Sequence, residues 1–124
     1  MIAGLGIDMI EVERVTAKIC KNNGFTELVF SKKEIDYCEA KANKFEHYAV
    51  RFAAKEAFLK AIGTGWTSGT AFNEIEVSND PDGKPLITLL GQTASLINKI
   101  GITNIFVSLS HLKTIASAVV IIEK

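Results

Sequence analysis

Two oppositely charged side chains interrupt a segment that is otherwise typical of a buried helix. Glu56 and Lys60 lie one helical turn apart within residues 49–61, among alanine, phenylalanine and leucine. One interpretation is a surface Glu→Lys pair at i and i+4. The other is an ionisable pair that faces a cleft, where burial requires a partner such as a metal ion or a phosphate group.

A second carboxylate, Asp8, follows a short apolar strand over residues 2–7 that Gly4 and Gly6 break. Asp8 and Glu11 fit a D-x-x-E variant of the capping box, which predicts that Asp8 opens a helix ending at about Lys21. A carboxylate at a strand end is also a good ligand for a hard cation. Magnesium sites use one or two carboxylates with substrate phosphates and water, so Asp8 and Glu56 are a candidate Mg²⁺ pair.

A basic stripe follows on the first predicted helix, where Arg14, Lys18 and Lys21 share one face at i, i+4 and i+7. It is either a solvated face that Glu11 and Glu13 balance or a docking surface for an acidic partner.

Two glycine-containing loops, residues 63–66 and 82–85, offer backbone N–H groups of the kind that bind phosphate. Alone these are weak signals, and a helix C-cap and a hairpin turn are the favoured explanation of the two loops. Ser110 and His111 close a strand, but the sequence has neither a nucleophile elbow nor a zinc-type histidine pair. Serine-hydrolase and zinc-enzyme classes are therefore disfavoured.

Length and composition restrict the class of protein to which the chain can belong. The chain has 124 residues, 48% of them hydrophobic, and a formal net charge of zero, which fits one domain and disfavours a nucleic-acid-binding surface. Cys20 and Cys38 form no motif and are expected to be reduced thiols. With no secretory signal and no apolar run of about 20 residues, we expect a cytoplasmic protein that does not enter a membrane.

The pattern of elements predicts an α+β fold in a single domain over residues 1–124, with a helical first half and an antiparallel or mixed sheet in the second half. Ser31 and Glu34 form an S-x-x-E capping box with Phe30 and Ile35 as the hydrophobic staple, which predicts a helix start. The other predicted elements are a helix over 44–62 ending at Gly63, strands near 75–78, 86–90, 105–109 and 115–123, and a helix over 93–100.

Several motifs, taken in order, give the chain its resemblance to a known family. They are G-I-D at 6–8 with Glu11 and Arg14 behind it, F-S-K-K-E at 30–34, R-F-A-A-K-E-A-F-L-K-A at 51–61, G-K-P at 83–85 and S-L-S-H at 108–111. Over nearly its whole length the chain resembles the small bacterial 4′-phosphopantetheinyl transferases of the holo-[acyl-carrier-protein] synthase family. It departs from their pattern at Trp66 and at residues 112–115.

The resemblance implies the 4′-phosphopantetheinyl transferase fold and a reaction. The enzyme would move phosphopantetheine from coenzyme A to a serine of apo acyl carrier protein and release adenosine 3′,5′-bisphosphate, a step that serves fatty acid biosynthesis. It further implies Mg²⁺ as cofactor and a homotrimer with active sites between subunits.

The resemblance also assigns residues. Asp8 and Glu56 match the magnesium ligands, Lys60 the lysine near the pyrophosphate, and Arg14 the arginine that meets the acidic carrier protein, with Lys18 and Lys21 beside it. The positions expected at coenzyme A are Arg51, Lys60, Gly83, Lys84, Ser110 and His111.

The general base stays open at this point: metal-bound water and Glu56 are both candidates, and His111 fits better as a phosphate contact. Two alternatives remain. A catalytically idle binding module would use the basic helix, with Asp8 and Glu34 only capping helices. Another magnesium-dependent phosphotransferase is a weaker alternative, since the P-loop and kinase signatures are missing.

Overall fold

The structure, a computed structural model, describes residues 1–63 and 69–124. Helices follow the first strand, and strands dominate the second half. In chain order the elements are β1 (Ile2–Glu11), α1 (Val12–Cys20), α2 (Phe25–Val29), α3 (Lys32–Glu39), α4 (Lys44–Ile62), a 3₁₀ turn (Phe72–Glu74), β2 (Ile75–Asn79), β3 (Pro85–Leu89), α5 (Gly91–Lys99), β4 (Asn104–His111) and β5 (Ile115–Glu123).

Two antiparallel sheets form, one with the strand order β1-β5-β4 and one from the hairpin β2-β3. The first strand of the chain thus joins the last two. The α+β class predicted from the sequence is confirmed, and the sheet is antiparallel rather than mixed.

The long helix α4 is the centre of the fold because it belongs to both hydrophobic clusters. Its C-terminal half packs with β2, α5 and β5, and its N-terminal half packs with α1, α2 and α3. The alanines that give α4 its small-residue face, among them Ala49, Ala53 and Ala57, are fully buried. The predicted bounds of this helix, including its end at Gly63 in the left-handed region, are confirmed.

The glycines of β1 do not break the strand; they let α4 approach it. A Cβ atom on Gly6 would lie 1.9 Å from the carbonyl oxygen of Ala57, and one on Gly4 would lie 1.9 Å from that of Ala61. Both neighbours are helix backbone, which cannot move aside without displacing α4. The glycines are therefore a tertiary packing requirement, and the prediction that they break the strand was wrong.

Asp8 does not open a helix. It lies inside β1 and pairs with Ala118 of β5, and the strand continues to Glu11, opposite Ile115. Glu11 is the N-cap residue of α1 and makes no side-chain capping bond. The capping-box interpretation of Asp8 was wrong because pairing with β5 holds this stretch extended.

The first helices differ in detail from the prediction. Asn22, with a φ of 50°, is the first left-handed residue after α1, and Gly24, which is also left-handed at a φ of 93°, is the N-cap of the unpredicted short helix α2. The capping box at α3 is confirmed: Ser31 accepts a bond from the Glu34 backbone N–H, and the Glu34 carboxylate accepts one from the Ser31 N–H.

The remaining elements fall within a few residues of their predicted positions, β3 and α5 both beginning earlier than expected. Of the loop at 63–66, Gly63 caps α4, whereas Thr64, Gly65 and Trp66 lie outside the described residues.

Within the described ranges no helix is both long and apolar enough to cross a bilayer. Cys38 is buried, and that burial raises the pKa of its thiol to about 12.

Replacement of Gly6 by alanine should destabilise the fold by more than about 3 kcal/mol, because the new methyl group overlaps the helix backbone. Gly101→Ala is the matched control. Gly101 has a φ of 83°, and a Cβ atom added there would meet no atom within 4 Å, so only the left-handed penalty of about 1–2 kcal/mol applies. Urea unfolding measures the free energy of unfolding of both variants. An equal loss of stability in the two would contradict the close approach of α4 to β1.

Candidate active site

Asp8, Glu56 and Lys60 come together where α4 crosses β1. The Lys60 ammonium lies 3.0 Å from Asp8 Oδ1 and 3.1 Å from the carbonyl oxygen of Ile7. Asp8 and Glu56 line one cavity of about 290 Å³. Lys60 therefore forms its ion pair with the strand carboxylate and not with Glu56, the partner that the surface-pair interpretation expected.

Glu56 is half-buried beside a like charge. Burial raises the pKa of its carboxyl above the ordinary value, the Asp8 carboxylate raises that pKa further, and Lys60 and Lys18 oppose the change. Two carboxylates thus lie side by side, and the Asp8 carboxylate is paired with one ammonium group that is half exposed at 55%. Neighbouring carboxylate oxygens of this kind are hard ligands of the type that a divalent cation binds.

The basic stripe on α1 borders the same cavity. Arg14 and Lys18 line it together with Asp8 and Glu56. The Lys18 ammonium also lies 5.9 Å from the ring centroid of Phe52. Lys21, exposed at the C-cap of α1, continues the stripe away from the cavity. The stripe faces solvent next to the carboxylates, where a docked protein would meet both.

A second cavity of about 200 Å³ lies on the other side of α4 and contains Arg51, Gly83 and His111. Arg51 is 2% exposed, its guanidinium lies 4.2 Å over the Tyr37 ring, and it donates to Asn79 Oδ1 at 3.2 Å. The Arg51 Nε is buried, and no partner for it lies among the described residues. A buried guanidinium with spare donor capacity suits an anionic ligand such as a phosphate group.

The β2–β3 turn closes over this cavity. Asn79 Nδ2 donates to the Gly83 carbonyl at 2.9 Å, and Asp80 Oδ1 accepts from the Lys84 N–H at 2.9 Å. The Lys84 side chain is exposed. Ser110 lies on the opposite face of β4 from His111, opposite Ser117 of β5. Within one chain Ser110 is therefore not brought to the cavity that Arg51 and His111 line.

The two cavities are held apart by the sheet itself. Asp8 of β1 and Leu109 of β4 both pair with Ala118, so strand β5 lies between the strands that carry the two sites. Strands in a sheet are about 4.8 Å apart, which puts these two strands about 10 Å from one another with α4 over the gap. Lys60 lies with Asp8 and so belongs to the first cavity alone.

Comparisons with known proteins bear on this arrangement. Residues 4–110 match the model of the 4′-phosphopantetheinyl transferase superfamily. The chain belongs to this superfamily. It is 45% identical to the holo-[acyl-carrier-protein] synthase of Syntrophus aciditrophicus, covering 99% of this chain and 97% of that one.

Solved structures agree with the family assignment. The holo-[acyl-carrier-protein] synthase of Neisseria meningitidis superimposes with a TM-score of 0.92 at 30% identity, covering 100% of both chains. The Bacillus anthracis holo-(acyl-carrier-protein) synthase, solved in complex with CoA (3′,5′-ADP), gives a TM-score of 0.80 at 35% identity, covering 98% of this chain and 96% of that one.

The lysine next to Glu56 in this transferase has a structural position. Lys55 is fully buried and lies 2.8 Å from Glu34 Oε1, and it also donates to the carbonyl oxygens of Phe72 and Ile75. Burial lowers the pKa of Lys55, and Glu34 opposes that change. Glu34 Oε2 accepts from the Val77 N–H at 2.8 Å. The pair joins α3, α4 and β2, away from both cavities.

Sequence reasoning missed four residues of the second cavity region: Tyr37, Glu46, His47 and Asn79. His47 and Arg51 are one turn apart on α4, a spacing that does indicate a shared face. Glu46 and Asn79 reach the site through contacts that depend on the tertiary fold, and no local pattern marks them.

Lys55→Met should lower the free energy of unfolding by about 3–5 kcal/mol, because it leaves the Glu34 carboxylate buried without its counter-charge. Lys60→Met, the same change five residues along the helix, should cost less than about 1 kcal/mol, since the Lys60 side chain is half exposed to solvent. Chemical denaturation compares the two. A Lys55 variant as stable as the Lys60 variant would disprove the structural assignment.

Proposed function

We propose that this transferase moves the 4′-phosphopantetheine group from coenzyme A to a serine of apo acyl carrier protein, with Mg²⁺ held by Asp8 and Glu56. The observation that carries the proposal is the convergence of Asp8, Glu56 and Lys60 at one cavity bordered by Arg14 and Lys18. We further propose that residues 1–124 form one transferase domain, acting in the cytoplasm in fatty acid biosynthesis.

The residues present fit magnesium. Asp8 and Glu56 supply hard carboxylate oxygens, and sites with one or two carboxylates are usual where substrate phosphates complete the coordination. Among the described residues no group of three or more metal-ligating side chains exists, so a bound ion depends on such outside ligands. Asp8 already attracts one cation, the Lys60 ammonium, and the pKa of Glu56 is raised first by burial and then by the neighbouring Asp8 carboxylate.

In the reaction, the serine hydroxyl gives its proton to a base and its oxygen forms a bond to the phosphorus that carries pantetheine, while the bond to adenosine 3′,5′-bisphosphate breaks and the bisphosphate leaves. Bound Mg²⁺ would neutralise charge on the pyrophosphate oxygens. Lys60, fixed against β1 and half exposed at the cavity, is placed to stabilise charge that gathers on the departing phosphate.

The second cavity and the basic stripe on α1 suit the two substrates, coenzyme A and the acyl carrier protein. The relative from Bacillus anthracis was solved with CoA (3′,5′-ADP), and the buried guanidinium of Arg51 and the ring of His111 provide a polar cavity for such a nucleotide. Arg14 and Lys18 suit an acidic carrier protein, because their positive charge steers it to the cavity that holds Asp8.

A homotrimer would bring the two cavities together. The outer face of the β1-β5-β4 sheet is apolar and uncovered within the chain: Leu5, Ile7 and Met9 are 64%, 59% and 66% exposed, and Phe106 is 48% exposed. Exposed apolar patches of this kind mark protein interfaces. We propose that copies of the chain cover this face and that the Asp8 cavity of one subunit meets the His111 cavity of its neighbour.

Asp8→Asn should lower transfer by about two to three orders of magnitude while the fold is retained, because the site loses one of its two carboxylates. The measurement is mass spectrometry of apo acyl carrier protein incubated with coenzyme A and Mg²⁺. Wild-type enzyme should add one phosphopantetheine, and a chelator should abolish the addition.

Asp36→Asn is the matched control, since Asp36 is exposed on α3 and, within the described part of the chain, is paired only with Lys32. It should transfer at the wild-type rate. Wild-type turnover by Asp8→Asn would overturn the metal assignment, and no transfer by folded wild-type enzyme would favour the idle binding module.

Phe106→Glu should dissociate the trimer into smaller species, because it places a carboxylate in the apolar face without disturbing the inner face of β4. Leu28→Glu, which changes an apolar residue on α2 that is even more exposed, at 67%, should leave the mass of the assembly unchanged. Analytical ultracentrifugation distinguishes them. A Phe106→Glu protein with the wild-type mass would show that the sheet face is not the interface.

A further inference from the structure

A carboxylate holds the ring of His111 from the side of α4. Glu46 Oε1 lies 2.8 Å from His111 Nδ1, and the two side chains are only 19% and 29% exposed. Glu46 lies in the first turn of α4, where the helix dipole stabilises a negative charge. The contact joins residues 65 apart in sequence, so it exists only in the folded chain.

The bond fixes which ring atom faces the cavity. A carboxylate is an acceptor, so the Nδ1–H donates to Glu46 and Nε2 is left for a ligand. The ring of His47 lies edge-on, with its centroid 5.5 Å from that of His111, and further restricts the orientation. The His111 ring and the Arg51 side chain then line one cavity of about 200 Å³.

We propose that Glu46 is a positioning residue for coenzyme A binding: it accepts from Nδ1–H and so orients His111, and in the complex, with both ring nitrogens protonated, Nε2–H donates to a phosphate oxygen. This inference rests on the proposed function. Glu46 does not line the cavity itself and acts through the histidine.

The direction in which coenzyme A affinity changes when Glu46 is removed distinguishes a positioning role from simple charge repulsion. A carboxylate near an anionic ligand repels it, so removal of a Glu46 that did nothing else would tighten binding of coenzyme A. Removal of a positioning Glu46 must weaken binding instead. The two interpretations therefore predict opposite changes.

The experiment compares Glu46→Ala, Glu46→Gln, His111→Ala and the double variant Glu46→Ala/His111→Ala. The readouts are KM for coenzyme A, kcat, and the Kd of adenosine 3′,5′-bisphosphate measured by calorimetry. Glu46→Ala should raise KM and Kd about tenfold, as expected for a lost charge-assisted hydrogen bond, with kcat within about twofold of wild type. Glu46→Gln keeps an acceptor and should recover most of the loss.

The double variant decides whether Glu46 acts through His111. It should bind no more weakly than His111→Ala alone, because the partner through which Glu46 acts is already absent. Asp36→Asn, which removes an exposed carboxylate from α3, should match wild type.

Three results would overturn the proposal: tighter binding by Glu46→Ala, an equal loss in kcat and KM that tracks a loss of stability, or additive losses in the double variant. If wild-type enzyme binds neither coenzyme A nor the bisphosphate, the proposed function fails rather than this inference alone.

Discussion

The arrangement of this enzyme depends on the contact between the backbone of α4 and strand β1. Gly4 and Gly6 leave no side chain between them, so the carbonyl oxygens of Ala57 and Ala61 lie where Cβ atoms would otherwise be. Asp8 is the next residue along the same strand face after Gly6. The same close approach that packs the core therefore brings Asp8 to Glu56 and lets Lys60 reach the carbonyl oxygen of Ile7.

Helix α4 carries charged residues in three different environments, each with its own compensation. Lys55 is buried against Glu34 and two carbonyl oxygens, which fix the helix to α3 and β2. Glu56 and Lys60 face the cavity beside β1, and Arg51 is buried against Tyr37 and Asn79 on the side of β4. Successive residues of a helix point about 100° apart, so these side chains point in different directions around α4. Each direction meets a different environment because other parts of the chain surround the helix on nearly every side.

The sequence predicts the features that local patterns determine. The bounds of α4 and the capping box of Ser31 and Glu34 follow from periodicity and from side chain to backbone bonds over three residues. The N-cap interpretation of Asp8 fails because nothing local shows that β1 continues to Glu11; the pairing with β5, more than a hundred residues away, decides it.

The candidate site residues also divide into those that the sequence indicates and those that only the folded chain reveals. Asp8 and Glu56 are predicted from the sequence as a pair because both are carboxylates that could bind one hard cation, and in the fold both line one cavity. Glu46 carries no sequence signal because its contact with His111 spans 65 residues. Ser110 is grouped with its neighbour His111 in the sequence, but alternation along β4 turns it to the other face of the sheet.

We propose that a complete active site needs two chains, since the Asp8 and His111 cavities lie on opposite sides of α4. The direct test is to co-refold Asp8→Asn chains with His111→Ala chains and to measure transfer at low coenzyme A concentration. Mixed assemblies contain an interface with both intact cavities, so turnover should rise well above the sum of the parents. Asp8→Asn mixed with Lys60→Met, two changes in one cavity, should show no recovery. Absence of recovery in the first mixture, with mixed assembly verified by mass, would contradict an active site shared between subunits.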